Sequence, residues 1–335
     1  MRIATVALVG MVASSLGSLG CKKEVASAKT DPAPAASAPA AAAAKDAPAA
    51  KEAPEPVDEN RLLGKKLNPI IDCMNGSANR AFEVRKVYLQ WASEKGPDAK
   101  TERGNMPILT GVDQCKDGVA KAVALPPATP ELDAAAQKYV GALSDLDALV
   151  KPLTTYYDQQ NWKDDKFARG IEAHPKLLAA WNALSDAQDA LDEQVKVASK
   201  KIAVARLARI EKAEGQSLAW HHADLMLKAD DLAETGLVPF DKMDPATFEA
   251  AINAFDAALT AWGTFVDAHK QEADKACVDE SGFRRSGGET LSAAKISLRA
   301  RKEPKKPHPQ TIHGNREALV SSYNRFIDQS NRLLR

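Results

Sequence analysis

Six histidines, four cysteines and a few adjacent carboxylates are the residues of this chain whose chemistry could build a site. His222 and His269 fall on apolar stripes of helically spaced segments, where an imidazole either meets a metal ion or is buried as a hydrogen-bonding group. His221 and His222 are neighbours, so on a helix they point about 100° apart and cannot share one ion as an i, i+4 pair does. No HExxH or ExxH pattern of the carboxylate metal bundles occurs. The expectation is structural histidines and no metal. His308 and His313 lie in proline-rich sequence and read as solvated. Asp164 with Asp165, and Asp230 with Asp231, are adjacent in sequence, whereas acid–base work needs two groups converging from different elements. They read as caps or solubilising charges. The sequence holds no GxSxG, no phosphate loop, no glycine-rich dinucleotide turn and no zinc spacing of cysteines, so an enzyme and a cofactor are not expected.

The cysteines divide by context. Residues 1 to 21, MRIATVALVGMVASSLGSLGC, carry one charge at Arg2, an apolar run from Ile3 and small residues up to Cys21, which reads as an export signal over residues 1–20. Ser18, Leu19, Gly20 and Cys21 resemble a lipobox, with leucine at minus two instead of the usual minus three; cleavage there makes Cys21 the acylated first residue. The expected partner is membrane lipid, and Lys22 after the cysteine favours the outer membrane. Cys73, Cys115 and Cys277 remain, and export to an oxidising compartment leads to a disulfide with one thiol left over. Cys73 with Cys115 is the preferred pair, because it ties an irregular connection to a long helix. Closing a loop of roughly 43 residues stabilises by about 4 kcal/mol in the chain-entropy model. Cys277 with either partner, or three reduced thiols, are the alternatives.

From residue 21 to 58 the chain is Ala, Pro, Lys and Glu with no aromatic residue, a disordered tether by composition. Its roughly 37 residues reach about 35 Å as a coil and about 115 Å in extended polyproline form. Charge is balanced, Lys+Arg 45 against Asp+Glu 45, so no global field points to nucleic acid. One local excess stands out: between Arg284 and Lys306 eight basic residues face two acidic ones. Such a stretch meets an anionic envelope surface or is balanced by acids elsewhere in the fold.

Residues 59–335 carry the periodic segments. A first helix over about 60–93 has Leu67, Ile71, Met74, Ala78, Ala81, Tyr88 and Ala92 on one stripe and ends at Gly96-Pro97. A long connection follows, with a helical piece at 112–124. Thr129-Pro130 opens a clean helix with a seam from Leu132 to Tyr157, kinked near Pro152. A second seam, Leu177 to Ile202, should face the first, its helix restarting at Pro175 after Gly170 ends a short piece. After Gly215 a shorter helix runs to Gly236. Asp244-Pro245 starts another that carries Phe248 to Ala273. SGFRRSGGE then reads as loose, followed by a helical piece at 291–301, a proline-rich break, and a last helix from Asn315. The architecture expected is all-α: an elongated helical bundle of about five long helices after the tether, as a single domain.

The stretch from Tyr156 to Leu178, containing YYDQQNWKDDKFARGIEAHPKL, and the closing LVSSYNRFIDQSNRLL resemble the YiiG-like bacterial lipoproteins. The resemblance implies a lipid-anchored, mainly helical envelope protein and supplies no catalytic residues. The function expected is therefore a non-catalytic binding or structural module at the cell envelope. A periplasmic metal or small-ligand binder, or a hydrolase, is the alternative.

Overall fold

The computed structural model describes residues 58–271 and 280–333. The leader, Cys21, the tether and Cys277 lie outside the described residues. Those residues form nine α-helices and one 3-10 turn and no strand: α1 (Glu59–Ala92), α2 (Val112–Val123), α3 (Pro130–Asp158), α4 (Trp162–Asp165), α5 (Ala168–Glu214), α6 (Leu218–Gly236), the 3-10 turn Phe240–Lys242, α7 (Pro245–Ala268), α8 (Glu280–Lys302) and α9 (Pro309–Leu333).

Helix starts follow local chemistry where the capping side chain is free to turn inward. Asp58 accepts from the amides of Asn60 and Arg61 at the head of α1, and Asp244 from Thr247 at the head of α7. Thr129 does not cap α3. Its hydroxyl instead donates to the Asp133 carboxylate at 3.0 Å, because that carboxylate receives the buried Lys66 ammonium at 2.8 Å. Lys66 is fully buried and also donates to the Pro127 carbonyl at 3.0 Å, so α1 and the head of α3 are pinned by one satisfied cation.

Buried apolar residues gather in two clusters. The first joins α1, α2, α3 and most of α5, from Leu63 to Ala198; the second joins α6, α7, α8 and α9, from Leu225 to Leu333. The α3 and α5 seams pack along each other, with Leu143, Leu146 and Val150 meeting the side that holds Leu177, Leu184 and Leu191. Helix α1 lies antiparallel to α5, since Asp58 pairs with Arg209 at one end and Tyr88 bonds His174 at the other. The last part of α5 also runs beside α6, tied by Lys200 to Asp231 at 2.7 Å.

Three expectations are corrected. Gly170 and Pro175 do not bound helices: both lie inside α5, which starts at Ala168. SGFRRSGGE is not loose but the first turns of α8, a helix of 23 residues. Its small residues face inward, where a Cβ on Gly287 would stand 2.8 Å from Leu259 Cδ1, and Phe283 stacks on Phe326 at 4.6 Å. The buried Ser286 and Thr290 hydroxyls bond to helix carbonyls, to Phe283 and Ser286 respectively, so burial leaves neither unsatisfied. The last helix starts at Pro309, six residues before Asn315, with proline in the first turn where its missing N–H costs nothing.

Two separate apolar cores imply two cooperative units. Leu143→Ala, which removes a fully buried side chain of the first core, is expected to cost about 2–5 kcal/mol. Hydrogen exchange should then open α1, α2 and α3 while α7 to α9 keep their protection; loss of protection throughout would show a single unit.

Candidate functional site

The chain from Gln159 to Phe167 turns α3 back into α5, and the candidate site is built around it. Gln160, Lys166 and Phe167 all have positive φ, at 57°, 53° and 65°. For non-glycine residues such backbone costs on the order of 1–3 kcal/mol each. What offsets it is burial: Phe167 is 1% exposed, stacked on Trp162 at 4.7 Å and packed near Tyr157 and Trp91. Burying such a ring contributes roughly 2–3 kcal/mol.

Polar atoms in this region are mostly turned on one another. Tyr156 donates to Asp165 Oδ1 at 2.7 Å, and Asp165 Oδ2 accepts the Arg169 amide at 3.2 Å. Asp165 therefore lies in α4 and caps the helix after it, while Asp164 makes no comparable contact with α5. Tyr88 from α1 bonds His174 Nδ1 at 2.9 Å, and His174 Nε2 lies 3.2 Å from the Glu94 carbonyl. Trp91 donates to the Asn105 carbonyl at 2.8 Å and holds the long connection against the turn. Burial drives the Tyr88, Tyr156 and Tyr157 hydroxyls far above the ordinary phenol range, so all three stay protonated donors. The Tyr157 hydroxyl interacts electrostatically with Tyr88 but completes no hydrogen bond of acceptable geometry; it is wedged over Gly170, where a Cβ would stand 2.6 Å away. That contact explains a glycine inside a helix.

The other sequence-singled residues are dispersed. Cys73 of α1 and Cys115 of α2 are joined as a disulfide with Cα atoms 4.5 Å apart, both buried. His222 and His269 are not brought together. His222 is buried, its Nε2 2.9 Å from Ser330 Oγ and its ring near Phe283, whereas His269 stacks on Phe265 at 4.1 Å beside His221. Among the described residues no three His, Cys, Asp or Glu side chains gather as a metal site. Asp230 accepts from Tyr323 at 2.7 Å and Asp231 pairs with Lys200, so these adjacent carboxylates serve different helices. His313 pairs with Glu317 at 3.2 Å on an exposed face.

The basic stretch is answered by acids on and just before α7. Arg284 pairs with Asp267 at 2.6 Å, Lys295 with Asp256 at 2.9 Å, Lys302 with Glu249 at 2.8 Å and Lys306 with Asp241 at 2.7 Å. Each exposed pair is worth little alone, but together they cancel most of the local excess. Sequence reasoning set Tyr88 on the apolar stripe of α1 and His174 in the quoted motif but missed the bond between them, and it missed Lys66.

A family model described as "Protein of unknown function (DUF3829)" matches residues 62–332. The chain is similar to the "Uncharacterized protein YiiG" of Escherichia coli (strain K12), with 30% identity over 302 residues that cover 86% of this chain and 83% of that protein. No solved structure matches.

Two measurements check this geometry. Gly170→Ala is expected to destabilise by about 1–3 kcal/mol through overpacking. Tyr157→Phe, which removes the crowded hydroxyl, should recover much of that loss in the double variant, and additive losses would show that the contact is not the cause. The second test is pH dependence. Burial, then the Arg206 charge, lower His222 from its ordinary 6.5 to about 4. A depressed histidine leaves stability unaffected above pH 6.5 and withdraws it as pH falls toward 4, by about 3 kcal/mol in all. Burial raises Asp192 and Asp230 to about 6, which adds stability over nearly the same fall, from pH 6 to 3.8. Two such aspartates outweigh one histidine, so urea melts of wild type should show a modest gain in stability from pH 6.5 to 4, and His222→Gln should gain more across that window. Parallel profiles would show that His222 does not carry the term.

Proposed function

We propose, from the premise that this chain belongs to the DUF3829 family of proteins of unknown function, that it is a lipid-anchored envelope protein carrying a non-catalytic helical binding or structural module. The observation that carries the reading is at the α3–α5 turn. There several polar groups of the Tyr156–Leu178 stretch are spent within the fold: Tyr156 on Asp165, Asp165 on the Arg169 amide, and His174 on Tyr88 and the Glu94 carbonyl at the end of α1. A catalytic constellation needs a nucleophile or base aimed at space a substrate can fill. These groups are aimed at backbone and at each other.

The anchoring half of the proposal rests on the leader and Cys21. No helix of the described residues is long and apolar enough to cross a membrane. In this reading a lipid on Cys21 attaches the folded part. The tether then sets the distance between the outer membrane and α1. In an oxidising envelope the Cys73–Cys115 bond fixes α2 to α1 and leaves Cys277 as a thiol. The observation behind that pairing is the 4.5 Å Cα separation between two buried cysteines.

Cys21→Ala is expected to release the protein from the membrane fraction and to remove the acyl mass from the N-terminal peptide. Unchanged fractionation with no acyl mass on wild type would overturn the anchoring. Non-reducing peptide mapping should recover Cys73 linked to Cys115 and an alkylatable Cys277; a Cys277-linked peptide would overturn the pairing.

A further inference from the structure

The connection from α8 to α9 is where the basic stretch keeps charge that the fold does not consume. Of its cations, Arg284, Lys295, Lys302 and Lys306 are paired with carboxylates, and Arg301 donates to the Met243 carbonyl at 3.1 Å with its guanidinium over the Phe240 ring. Arg285, Arg299 and Lys305 have no such partner among the described residues. Arg285 lies about 21 Å earlier along α8 than Arg299. Arg299 and Lys305, by contrast, line one cleft of about 610 Å³, formed by the last turns of α8, the 303–308 loop and the first turns of α9.

The walls of that cleft are fixed by other residues. Lys306 donates to both oxygens of Asp241, at 2.7 and 2.9 Å, and ties the loop to the 3-10 turn, while Pro304 and Pro307 restrict the backbone on either side of Lys305 and Lys306. At the head of α9 the His308 carbonyl accepts the Thr311 and Ile312 amides and its Nδ1 accepts the Gln310 amide at 3.3 Å, so the neutral ring carries its proton on Nε2. Those amides are spent, and an anion in the cleft is therefore held by side chains and not by the helix end. Thr311 and Asn315, one turn apart on the α9 wall, leave a hydroxyl and an amide unbonded among the described residues. One lining residue, Glu303, is acidic, and it forms no pair with Arg299 four residues before it. Ile296, 46% exposed, adds an apolar wall. A cleft of this size with a few convergent donors beside an apolar surface suits a small ligand, and a guanidinium fork with a nearby ammonium matches the oxygens of a phosphate or carboxylate.

We propose that the cleft between α8 and α9 binds a small anionic ligand, Arg299 and Lys305 taking the oxygens of its phosphate or carboxylate group and Ile296 its short apolar body. The site rests on the preceding reading of a binding module but not on acylation, so it is tested on the chain from residue 21 carrying Cys21→Ser, and its failure leaves the fractionation of Cys21→Ala unaffected. Hexyl phosphate, titrated at constant ionic strength, is expected to bind with a Kd on the order of 1 mM and to shift the amide resonances of Thr311 and Asn315. Arg299→Gln and Lys305→Gln should each weaken binding by roughly five- to tenfold while melting with wild type, since neither side chain holds a contact in the fold. Glu303→Gln, which removes the opposing charge, should tighten it about threefold. Arg285→Gln, a cation lost away from the cleft, should leave Kd unchanged. Binding to phosphatidylglycerol vesicles without a response to hexyl phosphate, lost in Arg299→Gln and kept in Arg285→Gln, would identify the group as a lipid headgroup and support the site. Equal weakening by Arg285→Gln and Arg299→Gln, or no binding of either probe, overturns it.

Discussion

A helix of 47 residues reaches about 70 Å, far more than a single small core can cover, and the fold depends on how α5 finds partners along that length. Its first two thirds are covered by α3 and α1 and form one wall of the first core. Beyond Ile202 its apolar residues belong to neither core, and the helix is held by Asp58 at the head of α1 on one side and by α6 on the other. The turn at 159–167 aligns α3 with α5, and that alignment fixes where the far end of α5 emerges. That direction, set some 40 residues earlier, brings the far end of α5 alongside α6, the first helix of the second core.

The strained backbone of that turn follows from the same constraint. Running two long seams back against each other through nine residues requires a sharp reversal, and the chain makes it with left-handed Gln160, Lys166 and Phe167 in place of glycines. Phe167 can hold that conformation because its ring fills the space between Trp162, Tyr157 and Trp91, so a packing gain sits on the residue that bears the backbone cost. Asp165 joins the two sides, taking the Tyr156 hydroxyl from α3 and the Arg169 amide from α5.

Much of this was legible in the sequence and some of it was not, for identifiable reasons. The seams of α1, α3, α5 and α7 show because long apolar side chains recur at three and four residues, and the Asp244-Pro245 start shows because capping is local. The first turns of α8 do not show, since Phe283, Ser286, Gly287 and Thr290 keep the right spacing but only one is a large apolar residue. Gly170 and Pro175 read as boundaries because isolated helices avoid both; here the Tyr157 hydroxyl over Gly170 and the packing of α5 outweigh propensity. Tyr88 and His174 are 86 residues apart, and nothing in either local sequence announces the other.

Charge shows the same limit most sharply. Read as a window, the run from Arg284 to Lys306 is the most conspicuous feature of the chain, yet four of its eight cations meet Asp241, Glu249, Asp256 and Asp267 across a helix interface. A window count measures which charges are near in sequence, whereas the free energy depends on which are near in space and how much water they retain. In a chain whose formal charges sum to zero, how the charges balance is therefore found only after the helices have been paired.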